Sequence, residues 1–391
     1  MKLVVIGLGQ CGGRVADEFA RLNKKAQSQR GIEIVTGAFA INTDVADLSG
    51  LKRIRPDYQH RILIGGRKTG GHGVGKVNEL GAEVAKEDAD KVIDTIRGTR
   101  RFSDTDAFLL IAGAAGGTGS GALPVMTQYI KERFTDKPAY AIAVLPFEHE
   151  EKTEERTIYN AATCLKSTYL VADAVILADN QRYLKKDSSI QGNLSQINNQ
   201  IAEPFFNLLC AGEENNSKYI GSKVLDAGDI IQTLSGWTLI GYSKSRLSLL
   251  RAIFERTLDF KKKIDDTQKG AQAMDEAVSR LSVRCNTMDA RRALYLVSTP
   301  AKEMNIDVIK EIGVYLRSLA PKAIIRSGDY PREKGSLSIS LILSEMSDVA
   351  KIRHYFTKTI GLISNIKKRQ EGIESERIDI DITLKDIPSL L

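Results

Sequence analysis

Three glycine-rich segments near the start of the chain have the composition of phosphate-binding loops. They are residues 7–13 (GLGQCGG), 70–77 (GGHGVGKV) and 114–121 (AAGGTGSG). Glycine lets the backbone turn tightly and approach phosphate oxygens, and a following helix adds unpaired N–H groups and the positive end of its dipole. The alternative is that these glycines only allow strand-to-helix turns to pack. The segments therefore indicate phosphate binding and leave the phosphate compound open.

The first segment alone is compatible with a dinucleotide oxidoreductase. It matches the pattern G-x-G-x-x-G between a strand-like run and a helical pattern. Such an enzyme also needs an acidic residue closing the second strand, about 20 residues after the loop, to bind a ribose. Glu33 has that separation but precedes the strand, and no catalytic His/Lys constellation follows. This interpretation ranks third among those considered.

The second segment nearly matches the Walker A pattern G-x-x-x-x-G-K-[ST]. Val77 stands where the pattern needs a hydroxyl group for Mg²⁺. The segment also begins too far beyond its strand, Arg61–Ile64, for the usual geometry. A P-loop enzyme is therefore disfavoured.

The third segment is the richest in backbone donors. Residues 116–121 contain four glycines and two hydroxyl side chains, which favours a concave nest of N–H groups around a di- or triphosphate. A dinucleotide enzyme needs one such loop. Three loops at the same edge of one sheet suggest separate contacts with successive phosphates of a nucleoside triphosphate.

Apolar runs and amphipathic stretches alternate through the first half of the chain, which predicts an α/β domain with a parallel sheet and helices on both faces. In such sheets ligands bind at the carboxyl ends of the strands. The predicted strands are Leu3–Gly7, Gly37–Ile41, Arg61–Ile64, Ala107–Ala112, Ala139–Leu145 and Ala174–Ala178. The predicted helices are Arg14–Asn23, Asn78–Arg97, Pro124–Phe134 and Glu154–Val171.

The second half of the chain predicts a long central helix, Ile190–Gly212, and then a smaller α+β domain. The SGDYPREKGS stretch, residues 327–336, is expected to be an exposed loop. The predicted strands are Arg291–Ser298, Ala323–Arg326, Leu337–Leu343 and Ile378–Leu384, and the predicted helices are Ser245–Asp265, Ile306–Ser318 and Ser347–Phe356.

Composition narrows the class of protein. The net charge of +7 comes from basic residues that are spread along the chain, so we expect no nucleic-acid partner. The four cysteines and four histidines form no ligand-spaced cluster, so neither disulfides nor structural zinc are expected. No apolar run approaches the roughly 20 residues that cross a bilayer, and no signal peptide is recognised. We expect a cytoplasmic protein that is not an integral membrane protein.

The third loop resembles a known signature. AGGTGSG is similar to the GGGTGTG motif of the tubulin/FtsZ superfamily, with Ala115 and Ser120 as departures. The segment at 9–12 (GQCG) resembles the first phosphate loop of tubulin, 42–44 (NTD) matches the segment after the second strand, and 71–81 resembles the γ-phosphate loop of FtsZ, from which His72 and Lys76 depart. A tubulin-like first loop with FtsZ-like later loops is most similar to the archaeal CetZ group.

The resemblance implies that the nucleotide is GTP or GDP, with Mg²⁺ bridging phosphate oxygens and no protein metal ligand assigned. It implies that Glu148 contacts the ribose and that Asn180 and Asn198 recognise guanine, since a side-chain amide offers the donor and acceptor that the base edge requires. The remaining implied nucleotide contacts are Gly9, Gln10, Cys11, Gly12, Gly13, Arg14, Asn42, Asp44, Gly73, Val74, Gly75, Gly116, Gly117, Thr118, Gly119 and Ser120.

The segment after the central helix, residues 224–230 (VLDAGDI), has two interpretations. In isolation it predicts a turn with Asp229 as the N-cap of a helix. The resemblance implies instead that Asp226 and Asp229 enter the nucleotide site of the next subunit and orient the attacking water. Val224 departs from the usual asparagine of that loop.

These predictions divide the chain into a GTP-binding domain (1–189), a central helix with the catalytic loop (190–229) and a C-terminal α+β domain (230–391). The resemblance implies a GTPase that polymerises head-to-tail into filaments, in cell-shape control or division, with an unknown membrane adaptor. The alternative is a GTP-binding switch or scaffold that does not polymerise. Asp226 and Asp229 argue against that alternative, because a pure binder has no use for them.

Overall fold

The computed structural model of the chain describes residues 1–184, 190–245, 270–301, 306–333, 336–371 and 388–389. Apart from Ser245, the predicted helix Ser245–Asp265 lies outside these residues, and so does the predicted strand Ile378–Leu384.

The described strands form one ten-stranded sheet in the order β3-β2-β1-β4-β5-β6-β7-β10-β8-β9. In this order, the neighbouring strands from β3 through β2 and β1 to β7 are parallel. Strand β10 is antiparallel to both β7 and β8, and β9 is parallel to β8. This confirms the predicted parallel-sheet α/β domain joined to a smaller α+β part. The strands are β1 (Leu3–Leu8), β2 (Val35–Asn42), β3 (Arg61–Leu63), β4 (Ala107–Gly113), β5 (Ala139–Leu145), β6 (Ala174–Asp179), β7 (Gly236–Ser245), β8 (Arg292–Pro300), β9 (Ile324–Arg332) and β10 (Leu337–Ser344).

Helices cover both faces of this sheet. They are α1 (Gly9–Arg30), α2 (Val45–Ser49), α3 (Gly66–Thr69), α4 (Asn78–Glu87), α5 (Ala89–Arg97), α6 (Thr118–Arg133), α7 (Glu148–Thr153), α8 (Glu155–Val171), α9 (Asn180–Tyr183), α10 (Ile190–Ala211), α11 (Ala227–Thr233), α12 (270–279), α13 (Ile306–Leu319) and α14 (Ala350–Glu371). Helices α1 and α10 pack on one face, whereas α4, α6 and α8 pack on the other.

Side chains of the central strand β1 alternate between two apolar cores. Val4 and Ile6 face the core beneath α6 and α8, whereas Leu3 and Val5 face the core beneath α1 and α10. A strand that is buried on both faces has this continuous apolar sequence. The two cores therefore hold β1 so that the loop after it emerges at the carboxyl edge of the sheet.

Helices α1 and α10 run side by side in the same direction. Arg21 donates to the side-chain oxygen of Asn199 at 3.0 Å, and Arg30, the last residue of α1, lies 3.4 Å from the sulfur of Cys210 near the end of α10. Each helix has 22 residues and is therefore about 33 Å long. Both begin at the carboxyl edge of the parallel strands and end at the opposite edge.

Several predicted elements differ from the structure. Helices α1 and α6 begin five and six residues before the predicted Arg14 and Pro124, inside the first and third glycine loops. The single helix predicted over Asn78–Arg97 is two helices, α4 and α5, because the chain bends at Asp88, whose carboxylate accepts a hydrogen bond from Gly65 N at 2.7 Å. The loop predicted over 327–336 is wrong as far as Arg332, because those residues belong to β9. There the carboxylate of Asp329, only 3% exposed, accepts hydrogen bonds from Ser222 N and Lys223 N.

None of the described helices is both long enough and apolar enough to span a membrane.

Candidate functional site

The first and third glycine loops are packed directly against each other. Gly9 has a positive φ of 68°, and a Cβ atom there would lie 2.8 Å from the backbone N of Gly119. A Cβ atom at Gly12 would lie 1.9 Å from the carbonyl oxygen of Ile111. These glycines are therefore required by close backbone contacts. This agrees in part with the alternative interpretation, in which the glycines only allow the turns to pack.

Other glycines in the loops have no such packing role. A Cβ atom built at Gly116 or Gly75 would meet no atom of the protein within 4 Å, although Gly75 has a positive φ of 57°. A concave, glycine-lined surface that the protein does not fill leaves room for a ligand beside the backbone. Close packing alone therefore does not account for all of the glycines.

The helices that follow the two loops begin with free N–H groups. In the described part of the chain, neither α1 nor α6 has a side-chain cap at its start, and neither has an acidic residue in its first turn. The unpaired donors and the positive ends of both dipoles are therefore available to an anion. The two helix starts and the open glycines together fit the phosphate chain of a nucleotide.

The second loop packs against the third. A Cβ atom at Gly117 would lie 2.5 Å from Val74 and 2.9 Å from the Cα of Lys76. Lys76 itself has a positive φ of 63°, which is uncommon for a residue with a side chain, and its ammonium group lies 2.5 Å from the carboxylate of Glu154. All three glycine loops thus meet at the carboxyl edge of the sheet.

The segment after β2 is tied to the third loop by two buried hydroxyl groups. The oxygens of Thr43 and Thr118 lie 2.6 Å apart, and Thr43 is fully buried. The carbonyl of Thr43 also accepts a hydrogen bond from Gly73 N at 3.1 Å. Thr43 therefore connects three segments that the sequence predicted to contact one nucleotide.

Asp47 joins several of the predicted contact residues. Its carboxylate accepts hydrogen bonds from the side-chain amides of Gln10 at 2.5 Å and Asn42 at 3.1 Å. Asp44 is the N-cap of α2 and accepts a hydrogen bond from Asp47 N at 3.0 Å. Asp47 was not predicted, because an acidic residue in the first turn of a short helix has an ordinary role in the helix dipole.

Asn160 on α8 was also missed. Its side chain is fully buried, and its amide nitrogen lies 2.9 Å from the carbonyl oxygen of Lys76, 3.1 Å from that of Ala115 and 3.0 Å from that of Gly116. This one amide therefore fastens the second loop to the third. A lone asparagine in a helical pattern gives no sequence signal of such a contact, because its partners are backbone atoms of distant segments.

Two predicted contact residues have side chains engaged inside the protein. Cys11 packs next to Gly113, and burial raises the pKa of its thiol to about 12, so the group is neutral and behaves as a small apolar side chain. The hydroxyl of Ser120 is buried and donates to the carbonyl of Gly116. Of the polar groups of Ser120, the backbone N–H is therefore the one suited to a phosphate. Arg14 is exposed on α1.

The residues predicted to contact ribose and base lie at the same edge as the loops. Glu148 follows β5, is exposed and begins α7, and its N–H lies 3.4 Å from the side-chain oxygen of Gln181. Asn180 follows β6 directly and begins α9. Asn198 is half-buried on α10, and α9 and α10 are in contact.

Asp226 and Asp229 lie at the opposite edge of the sheet. They follow α10, and nearby Glu214 accepts a hydrogen bond from Tyr330, whose hydroxyl also accepts one from Arg30 at the end of α1. The prediction of Asp229 as N-cap is wrong. Asp226 is the cap of α11 and accepts a hydrogen bond from Asp229 N at 2.8 Å, because α11 begins at Ala227.

The side chain of Asp226 is exposed, and that of Asp229 lies 3.4 Å from the guanidinium of Arg326. The three loops, Asn42, Asp44, Glu148 and Asn180 are therefore together at one edge, and the two aspartates are not with them. About 33 Å of helix separates the two sites within one chain.

A metal ion would depend on the nucleotide itself. Among the described residues, no group of three or more His, Cys, Asp or Glu side chains could hold a metal. The donor set at the loops consists of N–H groups and the hydroxyl of Thr118, which fits phosphate oxygens better than a bare cation. Mg²⁺ would thus bind mainly through phosphate oxygens.

Comparison with known proteins gives matches over both halves of the chain. Residues 2–187 match the tubulin/FtsZ family GTPase domain, and residues 187–360 match the tubulin-like CetZ C-terminal domain. The tubulin-like protein CetZ1 of Haloferax volcanii is 33% identical over 389 residues, which cover 94% of this chain and 94% of that protein.

Two solved structures are similar throughout. The GDP-bound CetZ1 monomer of Haloferax volcanii is 30% identical with a TM-score of 0.78, covering 93% of this chain and 99% of that one. The GTPγS-bound CetZ2 protofilament of the same organism is 26% identical with a TM-score of 0.80, covering 94% and 100%.

The fold is that of the tubulin/FtsZ family of GTPases. Within that family, the chain belongs to the tubulin-like CetZ proteins. This membership confirms the predicted family and the prediction of a GTP-binding cytoskeletal protein that polymerises.

Proposed function

We propose that the chain hydrolyses GTP in an active site formed by two subunits stacked head to tail. The observation that supports this most directly is the separation of the glycine loops from Asp226 and Asp229. Helices α1 and α10 run the full depth of the sheet between the two sites. Because no side chain spans that distance, the aspartates act on the nucleotide of another subunit.

In this proposal the loops of one subunit bind and orient GTP. The free N–H groups at the starts of α1 and α6 hold the phosphate oxygens, and Asn180 and Asn198 recognise guanine through their amide groups. Thr118 is the loop hydroxyl assigned to the phosphate end. Mg²⁺, if it binds with the nucleotide beside Thr118, would neutralise charge that develops during phosphoryl transfer.

The adjacent subunit supplies the carboxylates. Asp226 and Asp229 accept hydrogen bonds from the attacking water and hold it in line with the terminal phosphate. Phosphoryl transfer depends mainly on positioning and charge stabilisation, so a monomer that lacks the second set of residues is a poor catalyst. Hydrolysis removes phosphate contacts at the junction and weakens the filament there.

Exposed apolar side chains at both edges support a head-to-tail junction. Val45 is 50% exposed and Val77 38% exposed beside the loops, whereas Val224 is 44% exposed and Ile231 38% exposed beside the aspartates. An interface between two different surfaces repeats without closing and produces a filament. The GTPγS-bound protofilament of the similar CetZ2 also supports this assembly.

The proposal also includes the domain bounds and the cellular role. The nucleotide domain is assigned to residues 1–189, the central helix and catalytic loop to 190–229 and the C-terminal domain to 230–391. The filament is assigned to cell-shape control or division, and an adaptor would link it to the membrane.

One contact favours the alternative of a non-polymerising GTP-binding switch. Asp229 is paired with Arg326 of its own chain, which reduces its freedom to act on a neighbouring nucleotide. The pair is long at 3.4 Å and partly open to solvent, and such pairs contribute on the order of 1 kcal/mol, so the carboxylate of Asp229 can exchange Arg326 for a water molecule.

Binding, assembly and phosphate release measured together test the proposal. Purified protein is titrated with fluorescent GTP and ATP analogues, and the same samples are examined by light scattering and for phosphate release with Mg²⁺ and each unlabelled nucleotide. We expect GTP-specific binding and GTP-dependent scattering and phosphate release. Binding of GTP without scattering at any concentration would favour the switch.

A further inference from the structure

Helix α9, which begins with Asn180, is anchored by the second half of the chain. The backbone N–H of Asp179, directly before the helix, donates to the carbonyl of Ser282 at 2.9 Å. Arg182 on α9 donates to the carbonyl of Leu281 at 3.2 Å. The segment predicted to recognise the base is therefore attached to elements that lie outside the nucleotide domain.

Lys351 on α14 lies between two nearly buried carboxylates. Its ammonium nitrogen is 2.8 Å from Asp179 and 3.2 Å from Glu151. The side chains are 18%, 10% and 13% exposed respectively. Tyr355, one turn later on α14, donates to Glu151 at 2.7 Å. Without the lysine, two carboxylates with little access to water would face each other, which is unfavourable.

Both carboxylates belong to elements that hold predicted nucleotide residues. The Asp179 oxygen that contacts Lys351 also accepts the N–H of Gln181 at 3.1 Å and so caps α9. Glu151 is on α7, the helix that begins with the predicted ribose contact Glu148. One lysine therefore fixes the relative position of the ribose and base elements.

We propose that Lys351 is a positioning residue for guanine recognition, and that through it the C-terminal domain sets the base end of the pocket. The inference depends on the proposed GTP binding. Lys351 does not touch the nucleotide. It keeps α7 and α9 at the spacing at which Glu148 and Asn180 contact the nucleoside together.

The test compares three variants with the wild type in equilibrium titrations with GTP and inosine triphosphate, which lacks the exocyclic amino group of guanine. Lys351→Met removes the charge, Lys351→Arg retains it, and Lys358→Met is the control. Lys358 is on the same helix, is exposed, and lines the cleft that Glu151, Asp179 and Lys351 also line. Thermal unfolding of each variant is recorded alongside.

We expect Lys351→Met to raise the Kd for GTP about tenfold, within the range of typical coupling between sites, and to reduce the preference for GTP over inosine triphosphate. Lys351→Arg should retain most of that preference, and Lys358→Met should match the wild type. An unchanged Kd for Lys351→Met, or equal weakening for both nucleotides, would overturn the inference. A purely structural role would lower stability without changing the preference.

A second variant covers the case in which Lys351→Met does not fold. Asp179→Asn retains an N-cap oxygen for α9 but loses the charge partner of Lys351, which still contacts Glu151. It should also reduce the preference for GTP, and an unchanged preference would contradict the inference. If the wild type itself does not bind GTP, the proposed function fails, and the inference fails with it.

Discussion

The hydroxyl oxygens of Thr43 and Thr118 lie 2.6 Å apart in a buried contact between the loop after β2 and the loop after β4. Each loop follows a strand of the parallel sheet and is predicted to contact the nucleotide. Their contact fixes the two loops relative to each other through protein side chains, and such fixed loops reduce the ordering that binding requires.

The Thr43–Thr118 contact predicts a specific pattern of stabilities. Thr43→Val leaves the other hydroxyl buried without its partner and should lower the free energy of unfolding by about 1–3 kcal/mol. Adding Thr118→Val should recover part of that loss, because two apolar groups then replace the pair. Urea unfolding of the two single variants and the double variant measures this. Simple additivity of the two losses would show that the hydroxyls do not depend on each other.

Asn160 should influence nucleotide binding although it is not itself a predicted nucleotide contact. Asn160→Ala removes the one donor that the carbonyls of the second and third loops share, so we expect GTP affinity to fall about tenfold. Asn23→Ala is the matched control. Asn23 is another amide bonded to backbone groups, at Ile34 and Val35 on the far edge of the sheet. The control should lose stability and retain its Kd for GTP. Equal Kd values for the two variants would argue against the role of Asn160.

Neighbouring glycines on α1 should respond in opposite ways to alanine. Gly12→Ala brings Cβ against the carbonyl of Ile111 and should destabilise the protein by about 3 kcal/mol or more. Gly13→Ala meets no atom closer than 3.8 Å and should be neutral or stabilising by up to about 1 kcal/mol. Thermal and urea unfolding compare them. Titration of the folded Gly13→Ala variant with GTP then tests the predicted phosphate contact separately from packing.

Four buried or half-buried thiols predict that stability falls in alkali. Burial raises the pKa of Cys11, Cys164 and Cys285 to about 12 and that of Cys210 to about 11, whereas unfolded thiols ionise near about 8.5. The folded state binds more protons above that pH, so the free energy of unfolding decreases as pH rises toward these values. Urea unfolding from about pH 8 to about pH 10 should show the decline. Cys164→Ala should make it shallower, and an unchanged slope would contradict the assignment.

The sequence predicted the strands that alternate between two apolar cores. β1, β4 and β5 are continuous apolar runs, and their bounds agree with the prediction within a residue or two. β7 was missed. Its pairing with β6 joins residues 62 positions apart, and its pairing with β10 joins residues about a hundred positions apart. Its own sequence, GWTLIGYSKS, has polar residues and glycines among the apolar ones.

The site was predicted at the level of loops and less well at the level of side chains. Glycine-rich loops have a local signature, so the sequence could locate them. Asp47 and Asn160 act on the backbone or amides of distant segments, and nothing local distinguishes them. The choice between Asp226 and Asp229 as N-cap depended on where α11 begins, and helix ends are uncertain by one or two residues in any sequence pattern.

Asp226→Asn separates the catalytic role from the structural role of that residue. Asparagine caps a helix about as well as aspartate, so the variant should fold and polymerise like the wild type and hydrolyse GTP slowly. Asp226→Ala should also polymerise and hydrolyse slowly, but with some loss of stability from the missing cap. Hydrolysis by either variant at the wild-type rate would refute the assignment of Asp226.

Phosphate release per molecule, followed with light scattering as the protein concentration is raised, tests the head-to-tail active site most directly. With GTP and Mg²⁺ we expect turnover to stay low up to a critical concentration and then rise together with scattering, and ATP should support neither. Wild type below that concentration should release almost no phosphate, and so should Asp226→Asn above it. A mixture of the two should hydrolyse GTP. Constant turnover per molecule at all concentrations would contradict an active site shared between subunits. So would a mixture that scatters light but releases no phosphate.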